Sequence, residues 1–288
     1  MNILVTGSKG QLGLELKNAF ELRNAPANVT YIDRDDLDLT DRAAVESYLR
    51  AGDFSHVINC AAYTAVEKAE EEKLQCAAIN VDAVSNLARL SDELDFKILH
   101  LSTDYVFDGL SCRPYKEADK VNPLSVYGNT KRKGETALLG LAPGSIIVRT
   151  GWLYSPYGHN FVKTMLRLAS ERKSVNVVCD QIGTPTCAAD LAEALLDILY
   201  APQWLPGTYH YSNEGVASWY DFAVSVFDMA GISGIRVNPV PTEEYPSAVQ
   251  RPFYSILDKS KVKATFGLKI PHWRESLRKT VDRLKAME

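Results

Sequence analysis

The sequence predicts an α/β fold built around a doubly wound, parallel sheet, and three observations carry that prediction. Short β-branched runs alternate with longer amphipathic stretches through about the first 150 residues. The short runs have few polar breaks, the pattern of strands covered on both faces. A glycine-spaced turn also lies directly between the first run and the first amphipathic stretch.

In order, strands are expected over residues 2–6, 29–33, 56–60, 97–102 and 145–149. Helices are expected between them over 11–23, 41–50, 66–91 and 126–141. Past about residue 150 the pattern loosens. Helices are expected near 160–171, 188–200 and 218–230, with a last one from about Trp273. Pro239, Pro241, Pro246 and Pro252 mark a loop-rich stretch that could wrap a ligand.

Bulk properties narrow the function classes. The 288 residues, 46% hydrophobic and 24% charged, suit one large domain or two unequal ones sharing a core. A net charge of −4 argues against a nucleic-acid partner, which would demand a basic excess. Cys60, Cys76, Cys112, Cys179 and Cys187 are odd in number and scattered. Neither a disulfide framework nor a structural metal is therefore expected, and a reducing, cytoplasmic setting fits. The first residues, Met1 to Gly7, lack the basic and long apolar regions of a signal peptide. No apolar run approaches a membrane span, so no membrane partner is expected.

The turn after the first strand reads Gly7-Ser8-Lys9-Gly10-Gln11-Leu12-Gly13. Gly7 permits a tight turn, Gly10 lets the backbone approach a pyrophosphate, and Gly13 allows close helix–strand packing. The helix that follows presents its N–H groups and positive dipole end to phosphates. With a strand before and a helix after, this is a dinucleotide site of Rossmann type. Asp33 ends the second strand about 20 residues on, where a carboxylate can accept from ribose hydroxyls. The adjacent Arg34 suits a 2′-phosphate instead, so NADH and NADPH both remain open. Asp38 and Leu39 could border the adenine.

Tyr127-Gly128-Asn129-Thr130-Lys131 carries candidate acid–base chemistry. Four residues apart on a helix, Tyr127 and Lys131 share a face. A nearby ammonium would favour the phenolate and lower the tyrosine from its ordinary value of about 10, making it a general acid for an oxygen becoming alkoxide. Ser102-Thr103-Asp104 follows the strand over 97–102, at the sheet edge where doubly wound folds bind ligands. There Thr103 could hold both a substrate carbonyl and the Tyr127 hydroxyl. His159 and His210 have no evident partner and read as structural, and Glu70-Glu71-Glu72 reads as a solvated helix face.

Gly7-x-x-Gly10-x-x-Gly13, Thr103 and Tyr127-x-x-x-Lys131 resemble the extended short-chain dehydrogenase/reductases. Within them the chain resembles the dTDP-4-dehydrorhamnose reductases, which make dTDP-L-rhamnose for bacterial surface polysaccharides. The segments at 59–64, 102–107, 149–154, 160–168 and 180–186, with Arg251-Pro252, carry that likeness across nearly the whole chain. The resemblance implies a dinucleotide-binding domain over 1–150. The looser pattern past residue 150 reads as a mainly substrate-binding portion over 151–288, with segments returning to the first domain. The resemblance places Gly10, Gln11 and Leu12 at the pyrophosphate, Asp33 at the ribose, and Asp38, Leu39, Ala62, Tyr63 and Thr64 along the rest of the cofactor. Thr103, Asp104 and Trp152 would contact a dTDP-sugar, and the forked donors of Arg251 suit its diphosphate. Tyr127 would be the acid, and Lys131 would hold the nicotinamide ribose while tuning Tyr127. Some relatives bind magnesium through acidic residues at a dimer interface. Glu15 matches one such position and Asp190 only approximately, so no metal is expected and Glu15 reads as a solvated helix residue. A monomer and a homodimer are both compatible with the sequence.

Three other functions on this fold are open to argument. A dehydratase of the superfamily carries Asp-Glu after the threonine, whereas Tyr105 follows Thr103-Asp104 here, which fits simple reduction. An epimerase would retain its oxidised cofactor tightly. A regulatory subunit of methionine adenosyltransferase also resembles these reductases, but would have no need of Thr103, Tyr127 and Lys131 together.

Overall fold

The computed structural model describes residues 1–24 and 26–287. Six strands form one parallel sheet: β1 (Asn2–Thr6), β2 (Asn28–Ile32), β3 (His56–Asn59), β4 (Lys97–Thr103), β5 (Ile146–Thr150) and a later strand, Gly207–His210. Their spatial order is β2, β1, β3, β4, β5 and then Gly207–His210. Successive side chains on a strand point to opposite faces, so Ile3 and Val5 enter one core layer and Leu4 the other. Helix α1 (Gln11–Arg23) lies against the first layer through Leu12 and Leu16, beside Leu191 and Leu195 from the helix Ala188–Leu199. The second layer takes Val45 from α2 (Arg42–Gly52). It also takes Leu87 from the helix Ala83–Glu93 and Leu138 from the helix Val126–Leu141. Burial on both faces is the reason these strands lack polar alternation.

Between β3 and β4 the expected single helix over 66–91 is broken. Lys68–Glu70 is a short 3-10 turn, Lys73–Ala77 is helical, Ala78–Asp82 is a π turn and Ala83–Glu93 completes the segment. The cause is tertiary. The Asn80 side chain turns into the core, where it binds the Tyr63 backbone and the Thr130 hydroxyl. The acidic run is correspondingly not a simple solvated face. Glu70 accepts from the Val126 N–H at 2.8 Å, and Glu72 from the Tyr63 hydroxyl at 2.6 Å.

The helix Val126–Leu141 starts at Ser125, whose hydroxyl accepts from the Gly128 N–H at 3.1 Å. Glu135 on this helix meets Arg149 of β5 through two hydrogen bonds of 2.7 and 2.8 Å, both side chains being buried.

The remaining residues build a third core around Tyr154, Val162, Met165, Phe222, Val226 and Trp273. They include the helices Phe161–Glu171, Trp219–Ala230 and Trp273–Met287, with Asn160 and Ser218 as side-chain N-caps of the first two. The proline-marked stretch is partly regular. Pro239 lies in the strand Arg236–Val240, paired with Ser174–Val178 in a two-stranded sheet. With only one paired neighbour, a strand tolerates the missing N–H. Among the described residues no helix is long and apolar enough to cross a membrane, and the five cysteines are free.

Candidate active site

The carboxyl ends of β1, β3, β4 and β5 open on a cavity of about 890 Å³. At one end is the glycine turn. Gly7 adopts φ +65°, a backbone conformation that a Cβ disfavours. A methyl group at Gly13 would lie 2.4 Å from the Gly7 carbonyl oxygen and 2.6 Å from Ser8 Cα, so the helix can approach the turn only as glycine. Gly10 is the N-cap of α1 and offers no side-chain cap. The first-turn N–H groups are thus available to an anion. The Gln11 side chain accepts from Asn160 Nδ2 at 2.9 Å and so ties this turn to the C-terminal portion.

Asp33, Arg34, Asp38 and Leu39 line the same end of the cavity. Asp33 accepts from the Lys9 N–H at 2.9 Å and from the Arg34 N–H at 2.8 Å, so its carboxylate braces the glycine turn. Asp38 accepts from the N–H and hydroxyl of Thr40. Ala62 and Thr64 line the wall, but Tyr63 does not. Its ring packs with Ala69 and Cys76, and its backbone N–H and carbonyl are both bound by Asn80. In an extended segment alternate residues face opposite sides, and Tyr63 falls on the inner one.

At the other end Thr103, Asp104, Tyr127, Lys131, Trp152 and Arg251 meet around one space. The Thr103 hydroxyl donates to Asp104 Oδ1 at 3.1 Å and accepts from the Tyr105 N–H at 3.2 Å. Tyr127 is half-buried, its ring meeting Tyr105 edge-on. Burial pushes the phenol well above its ordinary value, and the nearby Thr103 hydroxyl offsets this only partly. Lys131 Nζ donates to the Leu101 carbonyl at 2.7 Å and lies 3.5 Å from His100 Nε2, with no bond to the phenol. Burial lowers Lys131 to about 8, because the charged form is penalised away from water.

Asp104 is buried, and among the described residues its Oδ2 has no hydrogen-bond partner. Burial raises it to about 6, against hydrogen bonds from Ser255 and Thr103 that act downward. The sign follows. Between its unfolded value of 3.8 and about 6 the folded protein holds a proton that the unfolded chain has lost. Stability from this group is therefore greatest in acid and declines as pH rises through that window. Relative to Asp104→Asn, the wild type will accordingly lose about 2 kcal/mol of stability from pH 4 to pH 7 in urea titrations. A flat difference would contradict the buried, unpaired placement.

Trp152 stacks on Trp219 with centroids 3.5 Å apart and rings within 6° of parallel. Trp152 itself sits at φ +52°, an uncommon conformation for a bulky residue. Arg251 Nη2 is 3.0 Å from Glu67 at the cavity mouth. Trp219 and His159 also line the cavity. Trp219 was not expected, and His159 was read as structural. His210 is buried against the Tyr115 carbonyl, and burial lowers it to about 3. His100 lies behind this wall, buried within β4. Glu15 is not solvated but buried, held by Arg283 through hydrogen bonds of 2.8 and 3.1 Å. Asp190 is bound by Asn213 and Ser276. The two carboxylates thus have protein partners within the chain.

Relatives and solved structures share this architecture. A dTDP-4-dehydrorhamnose reductase of Aggregatibacter actinomycetemcomitans is 41% identical over 96% of this chain and 97% of its own length. The crystal structure of a dTDP-4-dehydrorhamnose reductase from Clostridium acetobutylicum superimposes with a TM-score of 0.94 at 42% identity, over 99% of this chain and 100% of that one. The reductase from Bacillus anthracis, solved in complex with NADP, gives 0.93 at 38% identity, over 98% and 99%. Residues 1–286 match the family model described as the RmlD substrate binding domain, and the chain belongs to that family.

Proposed function

We propose that this protein reduces the 4-keto group of dTDP-4-dehydro-L-rhamnose to give dTDP-L-rhamnose, for surface polysaccharide synthesis. The observation that carries the reading is the convergence of Thr103, Tyr127 and Lys131 on one cavity whose far end is an uncapped, glycine-built helix start. That turn and the first-turn N–H groups fit a pyrophosphate, and Lys131 fits ribose hydroxyls. A bound nicotinamide, when reduced, supplies the hydride for C4. Thr103 holds the carbonyl oxygen, and Tyr127 gives its proton to that oxygen as negative charge develops there. A phenol held above its ordinary value keeps that proton at neutral pH and surrenders it only to a strongly basic alkoxide. The unpartnered Asp104 oxygen accepts from a sugar hydroxyl, and the paired Trp152 and Trp219 rings offer an apolar face. Residues 151–288 supply most of the substrate contacts and residues 1–150 most of the cofactor contacts. Both Asp33 oxygens are engaged while Arg34 is exposed at the rim, which supports NADPH over NADH.

Absorbance of NADPH and of NADH, followed with dTDP-4-dehydro-L-rhamnose, tests the reading, with NMR of the sugar product. Consumption of NADPH with formation of dTDP-L-rhamnose is expected. No oxidation of either nucleotide would end the proposal. The glycine turn is tested separately. Overpacking by one methyl costs about 1–3 kcal/mol, so Gly13→Ala will lower stability by about that amount in urea denaturation, and a variant as stable as the wild type would contradict the close packing of helix on turn.

A further inference from the structure

Beneath the catalytic wall a chain of buried side chains leads to Lys131, and the mechanism above uses none of its other members. Thr6 ends β1, Asn59 ends β3, His100 lies within β4 and Lys131 stands on the helix Val126–Leu141. The Thr6 hydroxyl donates to Asn59 Oδ1 at 2.7 Å, and Asn59 Nδ2 donates to His100 Nδ1 at 3.0 Å. His100 Nε2 then faces Lys131 Nζ at 3.5 Å. The four residues are 1%, 2%, 0% and 2% exposed, so water does not compete along the chain.

We propose that His100 is a positioning residue for Lys131, and that the direction of this buried chain is coupled to the charge on the lysine. This rests on the reductase reading for its role in catalysis, but not for its geometry.

The argument is one of donors and acceptors. An amide nitrogen only donates, so Nδ1 is the acceptor, and a neutral imidazole then carries its proton on Nε2. Burial, together with the adjacent lysine, holds His100 far below its ordinary value, so the ring stays neutral. An Nε2–H aimed at Lys131 can be accepted only by a neutral amine. An ammonium requires the reverse order. Lys131 then donates to Nε2, Nδ1–H donates to Asn59 Oδ1, and the turned amide donates to Thr6. That hydroxyl is already within 3.4 Å of the Ala61 N–H. The two states differ by one proton taken from water. Amine plus Nε2–H imidazole becomes ammonium plus Nδ1–H imidazole. The imidazole, the amide and the lysine keep a partner in both orders, and only the Thr6 hydroxyl hydrogen has to leave Asn59 Oδ1 in the second.

Other charged or titratable groups facing Lys131 are Glu135 on its own helix, Cys60 after β3 and Cys76 on the helix Lys73–Ala77. Glu135 is neutralised by Arg149, and burial raises both thiols, so they stay protonated near neutral pH. His100 is thus the uncharged partner whose proton position can answer to the lysine.

Long-range 1H–15N NMR of the full chain reads the imidazole tautomer directly, with His100 signals assigned by their absence in His100→Phe. The proton is expected on Nε2 at high pH and on Nδ1 at low pH, with a midpoint near 8, and no exchange is expected in Lys131→Met. A tautomer constant from pH 6 to 10 in the wild type, or a charged ring, would overturn the proposal. Kinetics form a second arm. His100→Phe is expected to move the midpoint of the kcat/KM pH profile by at least half a unit, while His100→Asn, which can still accept from Asn59, moves it less. A profile superimposing on the wild type would reject the positioning role. Should no keto-sugar be reduced at all, the function assignment falls, but the tautomer measurement still decides the coupling.

Discussion

Tyr127→Phe will lower kcat by about 10² to 10⁴, the usual contribution of a positioned general acid. The substitution removes one oxygen and little else. The ring keeps its edge-on contact with Tyr105, 5.7 Å between centroids. The helix start is held by Ser125 and Glu70, neither of which touches the phenol. Binding of substrate and cofactor should therefore persist, with KM changing less than kcat. Equal loss of kcat and of kcat/KM is the signature of an interaction made only in the transition state. Steady-state kinetics with NADPH and the 4-keto-sugar measure it. Turnover like that of the wild type would remove Tyr127 from the acid role. It would also turn attention to Thr103, whose hydroxyl is the other donor at this point.

The second large effect is on stability. Glu135→Ala leaves Arg149 buried with its charge unpaired, at a cost of about 3–5 kcal/mol. Both side chains are less than a tenth exposed, so screening by water offers little relief. Arg149 Nη1 already has no partner among the described residues, and the guanidinium lies 5.2 Å from the Phe107 ring. The damage is local to the site as well, because Glu135 is one helical turn beyond Lys131. Urea denaturation will show the loss. The double variant Glu135→Leu with Arg149→Met should recover most of it, since an apolar pair of similar volume leaves no charge behind. Equal instability in the single and double variants would mean that packing volume, not charge, decides.

Much of the fold was legible because the signals are local. The first strand over 2–6 and the helices over 11–23 and 126–141 have the expected bounds. Their periodicity, the Gly10 start and the Ser125 cap are encoded within a few residues of each element. The glycine turn and the Tyr127–Lys131 spacing are local in the same sense, and all the candidate site residues but Tyr63 reach the cavity.

What sequence could not convey depends on groups far apart in the chain. The helix expected over 66–91 breaks because Asn80 finds partners on Tyr63 and Thr130. Glu15 is buried because Arg283, at the other end of the chain, reaches it. Lys131 finds the Leu101 carbonyl and His100, partners that its sequence neighbours do not announce. Sequence by itself determined the parallel sheet, the glycine turn and the helix that carries Tyr127 and Lys131, since propensity, periodicity and capping act over one or two turns. Only the tertiary structure decided which buried polar group pairs with which, since a desolvated donor or acceptor takes whatever partner the packing brings within reach.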